Sequence, residues 1–399
     1  MKVLVLNCGS SSVKYKLFEM AGSQVMAQGG IEKIGLKDSF LKLTLPSGEK
    51  KVIERSIPEH KTAIEMILEV LQDNRIGVIK SLAEIDAVGH RVVHGGEKFN
   101  QSVLVNEEVM RGIESCIDMA PLHNPANLLG IRTIAQLLPS VPQVAVFDTA
   151  FHQTLPDYAY IYGIPYELYQ KYGVRRYGFH GTSHRYVSAR AAEFLGLPVK
   201  GLRMITCHIG NGGSITAVKD GQSVDTSMGF TPLEGLLMGT RSGDIDAGAV
   251  SFLMDKEKLD TTGISNLLNK KSGLAGVSGV SSDMRDIDAA VADDNKRARL
   301  ALQSYKYRIL KYIGAYAAVL GGVDVLVFTG GVGENQIQLR RDVVGGLAYL
   351  GAEIDDARNN VRGEDALISS DKSKVKVVVI PTDEEWMIAS DTQRLVNGK

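Results

Sequence analysis

Histidine and arginine gather among glycines and small residues at four places in this chain. These are Gly89-His90-Arg91-Val92-Val93-His94-Gly95-Gly96, Ala120-Pro121-Leu122-His123-Asn124-Pro125, Tyr177-Gly178-Phe179-His180-Gly181-Thr182-Ser183-His184 and Leu236-Leu237-Met238-Gly239-Thr240-Arg241-Ser242-Gly243-Asp244. A guanidinium presents a planar fork of donors that matches carboxylate and phosphate, and small neighbours let such a ligand approach. Arg91 and Arg241 therefore read as anion clamps, against the plainer reading of surface ion pairs. His90/His94 and His180/His184 have the spacing of helical zinc ligands, but Arg91 and Gly181 stand where a zinc hydrolase needs glutamate. His123 sits in a loop stiffened by two prolines.

Three glycine-rich turns, 7–12, 210–214 and 329–335, could hold phosphate, because backbone N–H groups converge on an anion where no side chain intervenes. None is a Walker A loop, and Gly331-Val332-Gly333 lacks the third glycine of a dinucleotide fingerprint. If the first loop is extended, Ser10, Ser12 and Lys14 share one face, and Asn7 at the strand end reaches a metal-bound water. Asp148 follows the apolar run Val144–Phe147, which places a carboxylate at the C-terminal edge of a sheet, where α/β ligands bind. Thr382-Asp383-Glu384-Glu385 reads as a capping box with Thr382 as cap, leaving Glu384 to orient a magnesium-bound water.

The elements that must carry these groups are short strands and longer helices. Lys2–Leu6 and Val13–Leu17 flank the first turn, Met204–His208 and Ser214–Val218 the second, and Val323–Phe328 precedes the third; Ser223–Thr226 follows an Asp220-Gly221 turn. Helical spacing covers 59–72 and a helix-like segment covers 107–119. Strands interleaved with helices make the class α/β. Asn7-Cys8-Gly9-Ser10 and Asn211-Gly212-Gly213-Ser214 share the pattern Asn-x-Gly-Ser in matching strand–turn–strand settings, which points to a duplicated unit.

At 399 residues two domains are expected. A formal charge of −1 argues against nucleic acid, which needs a positive surface excess. Cys8, Cys116 and Cys207 form no paired spacing and fit a reducing cytoplasm. The apolar start is too short for a signal peptide. Residues 312–333 contain Asp324 and Gly321-Gly322 and divide into a helix end, a turn and a buried strand, so no membrane span is expected.

Seven segments, VLNCGSSSVK from Val5, GHRVVHGG from Gly89, FDTAFHQTLP from Phe147, YGFHGTSH from Tyr177, HIGNGGS from His208, DTSMGFTPLEGLLMGTRSGDID from Asp225 and TGGVGEN from Thr329, closely resemble the acetokinase family of acetate kinases, in order and from end to end. The resemblance implies the actin, hexokinase and Hsp70 ATPase (ribonuclease H-like) fold: two lobes of duplicated topology with ATP in the cleft. The first lobe would take 1–149 plus the final helix within 383–399, and the nucleotide-binding lobe 150–382. It implies magnesium at Asn7 and Glu384, with manganese as the alternative ion. Ser10, Ser12, Lys14, His208, Ile209, Gly210, Asn211, Gly212 and the loop Gly331, Val332, Gly333, Glu334, Asn335 would cradle the ATP phosphates, and Asp283, Met284 and Arg285 would contact the nucleoside. Arg91 and Arg241 would hold the carboxylate and the transferring phosphoryl group, with His180 stabilising the transition state and His123 and Asp148 completing the catalytic set. Val93, Leu122, Phe179 and Pro232 would receive the methyl group of the acid. A cytoplasmic homodimer is the family expectation. Ala247 stands where the family pattern has proline.

The expected chemistry is reversible in-line transfer from ATP to acetate, giving acetyl phosphate and ADP. A carboxylate is already ionised at neutral pH, so it needs no general base; it needs positive charge to overcome repulsion from the γ-phosphate. A propionate or butyrate kinase is the nearest alternative, since one methylene is worth only ~1–3 kcal/mol in an apolar pocket. A sugar kinase would want a catalytic base and a polar pocket, and an Hsp70-like binding module a separate peptide-binding domain.

Overall fold

A computed structural model of the chain describes residues 1–45 and 47–398. The chain divides into two compact units, Met1–Phe151 with Asp383–Lys399, and His152–Thr382.

The first unit carries strands β1 (Lys2–Cys8), β2 (Ser12–Glu19), β3 (Gln24–Glu32), β4 (Phe40–Thr44), β5 (Lys50–Glu54), β6 (Ala87–Val92), β7 (Val103–Leu104) and β8 (Gln143–Phe147). They form one sheet in the order β5-β4-β3-β2-β1-β6-β8-β7. Strand period two decides what each face buries. Leu4, Leu6 and Cys8 point into a core with Ala63, Ile64 and Ile67 of helix His60–Leu71. Val3 and Val5 point the other way, onto Ile388 and Ala389 of the closing helix Glu384–Val396, together with Ala87, Val144, Val146 and Phe18. Each buried aliphatic side chain contributes about 1.5–3 kcal/mol, and a one-residue slip would exchange the faces, so the register is strongly specified.

The second unit carries β9 (Arg203–Ile209), β10 (Gly213–Lys219), β11 (Gln222–Thr226), β12 (Val325–Thr329), β13 (Ala366–Leu367) and β14 (Lys376–Val379), ordered β11-β10-β9-β12-β14-β13. Helix Lys296–Leu320, capped by Asn295 and ended by Gly321 at φ 67, packs on β9 and β10. Both sheets contain the same five-strand pattern: an antiparallel meander (β1-β2-β3, β9-β10-β11) continued by two parallel strands (β6 and β8, β12 and β14). This is the duplicated α/β topology expected.

The Asn-x-Gly-Ser letters do not themselves mark equivalent positions. Asn7 lies inside β1 opposite Lys14, whereas Asn211 lies in the turn beyond Ile209, the last residue of β9. Other expectations change in detail. Gly9 N–H donates to the Ser12 carbonyl at 2.8 Å, so Ser10 sits in a turn and only Ser12 and Lys14 share a strand face. His90 and Arg91 belong to strand β6, so the four-residue spacing of His90 and His94 is not helical. Helix Glu107–Glu114 stops early and a separate turn of 3-10 helix covers Ile117–Met119. Asp383, not Thr382, caps the closing helix by accepting from Trp386 N–H at 3.0 Å; Thr382 instead donates to Ser183 Oγ. Ala247 takes the first position of helix Ala247–Lys256, where a proline would also fit.

Candidate active site

In the first unit the parity of three parallel strands assembles a site. Asn7, Arg91 and Asp148 are the next residues, two beyond Val5, Gly89 and Val146, on the face covered by the closing helix. All three therefore lie at the C-terminal sheet edge, beneath the first turn of that helix, where Glu384 begins it. Ser12, Lys14 and Lys16 share the same face of β2 with Phe18, and Lys16 pairs with Asp383 and Glu385.

Arg91 Nε and Nη2 both donate to the Asp148 carboxylate, at 3.0 and 2.6 Å, and Arg91 Nε lies 4.0 Å from Glu384 Oε2. Burial works against the Arg91 charge, and Asp148, itself 1% exposed, reverses that effect, so the cation is secured in a fixed orientation. Burial pushes the Glu384 carboxyl up to about 7; Arg91 and Lys14 oppose this, and Asp148 and Glu385 add to it. Hard oxygen donors at Asn7 and Glu384, with a carboxyl protonated more readily than usual, suit magnesium, whose positive charge relieves the crowding of carboxylates.

Two asparagines with no expected role, Asn124 and Asn127, hold this edge in shape. Asn127 accepts from Val93 N–H at 3.1 Å and donates to the Cys8 carbonyl at 2.8 Å. Asn124 accepts from His94 N–H and donates to the His94 carbonyl. His123 is half-buried at the start of helix Asn124–Leu137. Val93 is buried, but Leu122 is 57% exposed.

The second unit brings the remaining predicted residues together. His180 precedes helix Gly181–Leu195 in the left-handed region (φ 54, ψ 24), an arrangement that costs a non-glycine residue about 1–3 kcal/mol. Its Nδ1 lies 2.8 Å from Ser214 Oγ, and its ring stacks on His208 at 4.2 Å between centroids. His208 Nδ1 in turn meets Ser183 Oγ at 2.8 Å. A methyl group built on Gly212 would lie 3.4 Å from Arg241 Nη1 and 3.6 Å from His180 Nε2, so imidazole and guanidinium converge on the same small space. Arg241 donates to the Pro232 carbonyl at 3.1 Å, and among the described residues no carboxylate lies within 4.0 Å of it. Burial lowers its pKa, but an arginine remains charged. Asp148 balances the Arg91 charge, whereas among the described residues no ion pair balances that of Arg241.

Beside this space lies a cavity of about 530 Å³, within the range of small-molecule sites. It joins three predicted segments: Gly210 and Asn211; Asp283, Met284 and Arg285; and Gly331, Val332 and Asn335. Leu274, Ser282, Tyr305 and Gln336 line it as well and carry no local signal; Tyr305 is one turn of a long helix. A side chain on Gly331 would meet nothing within 4 Å, so its backbone faces open space. Several of the predicted contact residues also hold the local scaffold. Ile209 is fully buried and Gly333 is buried against β9. Glu334 turns back on its own loop, accepting from Gly330 N–H at 2.9 Å and Thr382 N–H at 3.1 Å. Asp283 caps helix Met284–Ala292 and binds Arg285 through two oxygens. Phe179 is buried and its carbonyl accepts from His152 Nε2.

The sequence model of the acetokinase family matches residues 2–390. A curated acetate kinase of Phocaeicola vulgatus is 68% identical over 397 residues, covering 100% of both chains. Among solved structures, Porphyromonas gingivalis acetate kinase superposes with a TM-score of 0.95 at 61% identity, covering 99% of each chain. A propionate kinase from Francisella tularensis superposes with a TM-score of 0.92 at 45% identity, covering 98% of this chain and 99% of its own.

Proposed function

This chain belongs to the acetokinase family, and we propose that it catalyses reversible, ATP-dependent phosphorylation of acetate to acetyl phosphate by direct in-line transfer. The observation that carries the mechanism is the convergence of Arg241 Nη1 and His180 Nε2 on the space over Gly212, next to a nucleotide-sized cavity.

Phosphoryl transfer spreads charge over three equatorial oxygens, so catalysis is alignment and charge stabilisation. Arg241 and His180 supply donors to those oxygens. Arg91, oriented by Asp148, holds the acetate carboxylate and offsets its repulsion from the γ-phosphate. Gly210, Asn211 and Gly331 offer backbone to the phosphates, with Ser12, Lys14 and His208 as further contacts, and Asp283 to Arg285 border the nucleoside. Asn7 and Glu384 would hold magnesium; when bound it neutralises charge on the phosphates. Asp148 acts through Arg91 rather than as a base.

Val93, Leu122, Phe179 and Pro232 are assigned to the methyl group. The names of the relatives at 68% identity favour acetate over propionate. Trapping acyl phosphate with hydroxylamine in the presence of ATP and acetate, propionate or butyrate tests the assignment, with acetate expected fastest. Arg91→Ala and Arg241→Ala should each cut turnover by about 10³-fold, the scale of a lost arginine clamp; near-normal turnover in both would refute it. The protein is assigned to the cytoplasm, which suits three unpaired, buried cysteines, and to a homodimer. Exposed Tyr158, Tyr166 and Tyr172 support a self-association face, and sedimentation at micromolar concentration tests it.

A further inference from the structure

Behind His180 runs a chain of hydroxyls and imidazoles. Ser214 Oγ lies 2.8 Å from His180 Nδ1 and 2.7 Å from His184 Nε2, and Thr206 Oγ1 lies 2.7 Å from His184 Nδ1. Thr206, His184 and Ser214 are all fully buried. Burial holds His184 neutral, its pKa well below the ordinary imidazole value, with His152 and His208 adding to the effect.

Counting protons leaves two arrangements. A serine hydroxyl has one hydrogen and two lone pairs; were Ser214 to accept from both rings its own buried hydrogen would be left without an acceptor, so it donates to one ring and accepts from the other. If it donates to His184 Nε2, then His184 carries its proton on Nδ1 and points it at Thr206. The Thr206 hydroxyl hydrogen is then buried without an acceptor, since His184 Nδ1 is the hydrogen-bond partner of Thr206 Oγ1 among the described residues. If Ser214 instead donates to His180 Nδ1, His184 Nε2–H donates to Ser214, Thr206 donates to His184 Nδ1, and every buried hydrogen is used. An unsatisfied buried donor costs about 1–3 kcal/mol, which favours the second arrangement by roughly five- to 150-fold. We propose that Thr206, His184 and Ser214 form a relay of positioning residues that fixes His180 as the Nε2–H tautomer, presenting its proton toward Gly212 and Arg241.

The proposal rests on the preceding reading of His180 only for its effect on rate; the tautomer itself is measured separately. Full-length protein labelled with [15N]histidine is examined by long-range 1H–15N correlation, with His180 and His184 assigned from the signals lost in H180Q and H184Q. Both rings should carry the proton on Nε2. Thr206→Val removes the hydroxyl that starts the relay, with His184 and Ser214 standing between it and His180. It should convert both rings to tautomer mixtures and lower kcat about tenfold with KM for ATP unchanged, and Thr206→Ser should restore both. Ser214→Ala should mix the His180 tautomer alone. Thr216→Val, whose hydroxyl pairs with Thr226 in the same sheet, should leave the tautomers as they were. An Nδ1–H signal for His180 in the unaltered protein, or a His180 tautomer indifferent to both Thr206→Val and Ser214→Ala, overturns the relay. An Nε2–H tautomer combined with full activity in His180→Ala would uphold the relay and refute the catalytic role given to His180.

Discussion

Lowering the pH should weaken the first unit through two buried histidines that have no catalytic assignment. His90 is 2% exposed and sits against Gln143, and His94 is fully buried; burial lowers each pKa from 6.5 to about 4. In the unfolded chain each takes up a proton as pH falls through 6.5, while the folded protein stays neutral until about 4. The unfolded state then binds more protons, so stability is fully present above pH 6.5 and is lost toward pH 4. A shift of about 2.5 pH units corresponds to about 3 kcal/mol per histidine, of which about 1 kcal/mol each is lost between pH 7.5 and 5.5. Trp386, the chain's sole tryptophan, lies in the first unit and meets Phe18 edge-on at 5.7 Å, so its fluorescence follows that unit's unfolding in urea. His90→Gln removes one titrating group. Whatever the variant costs at pH 7.5, its deficit relative to the unaltered protein should shrink by about 1 kcal/mol at pH 5.5. A deficit that is the same at both pH values would refute the reasoning.

Three further perturbations test the site. Asp148→Ala leaves the Arg91 guanidinium part-buried without its counter-charge, so the first unit should lose about 3 kcal/mol in urea melts and turnover should fall roughly 100-fold from lost orientation. Glu384→Gln should raise the magnesium concentration needed for half-maximal rate by about tenfold or more while leaving the urea midpoint at neutral pH unchanged or higher, because the buried carboxyl is costly to ionise there; a magnesium titration of initial rates decides it. Gly212→Ala adds a methyl that meets its neighbours at ordinary contact distances of 3.4 and 3.6 Å, so the melt should be unaltered. That methyl fills the space shared by Arg241 and His180, and kcat should fall roughly 100-fold in the hydroxamate assay.

The sequence by itself determined the strands that flank the first two glycine turns and the strand that precedes the third, because alternating or continuous apolar residues have one stable way to bury themselves. It also determined the family, through long motifs in order, and with it the expectation that Arg91, Asp148, His180 and Arg241 carry the chemistry. Tertiary structure decided what those residues do to one another. Asn7, Arg91 and Asp148 lie far apart in the chain and share a face only because three parallel strands end in register. Glu384 is an ordinary first-turn glutamate until that face places Arg91 and Asp148 beside it. Thr206 and Ser214 look like unremarkable strand residues; pairing of β9 with β10 and the packing of His184 against them turn their hydroxyls into a proton-ordering chain. Glu334 lies in a glycine-rich turn, and its carboxylate accepts from the N–H groups of Gly330 and of the distant Thr382. Local pattern specifies where backbone turns and which side is apolar, but a hydrogen bond or a shifted pKa depends on distance to groups tens to hundreds of residues away, and only the folded packing sets that distance.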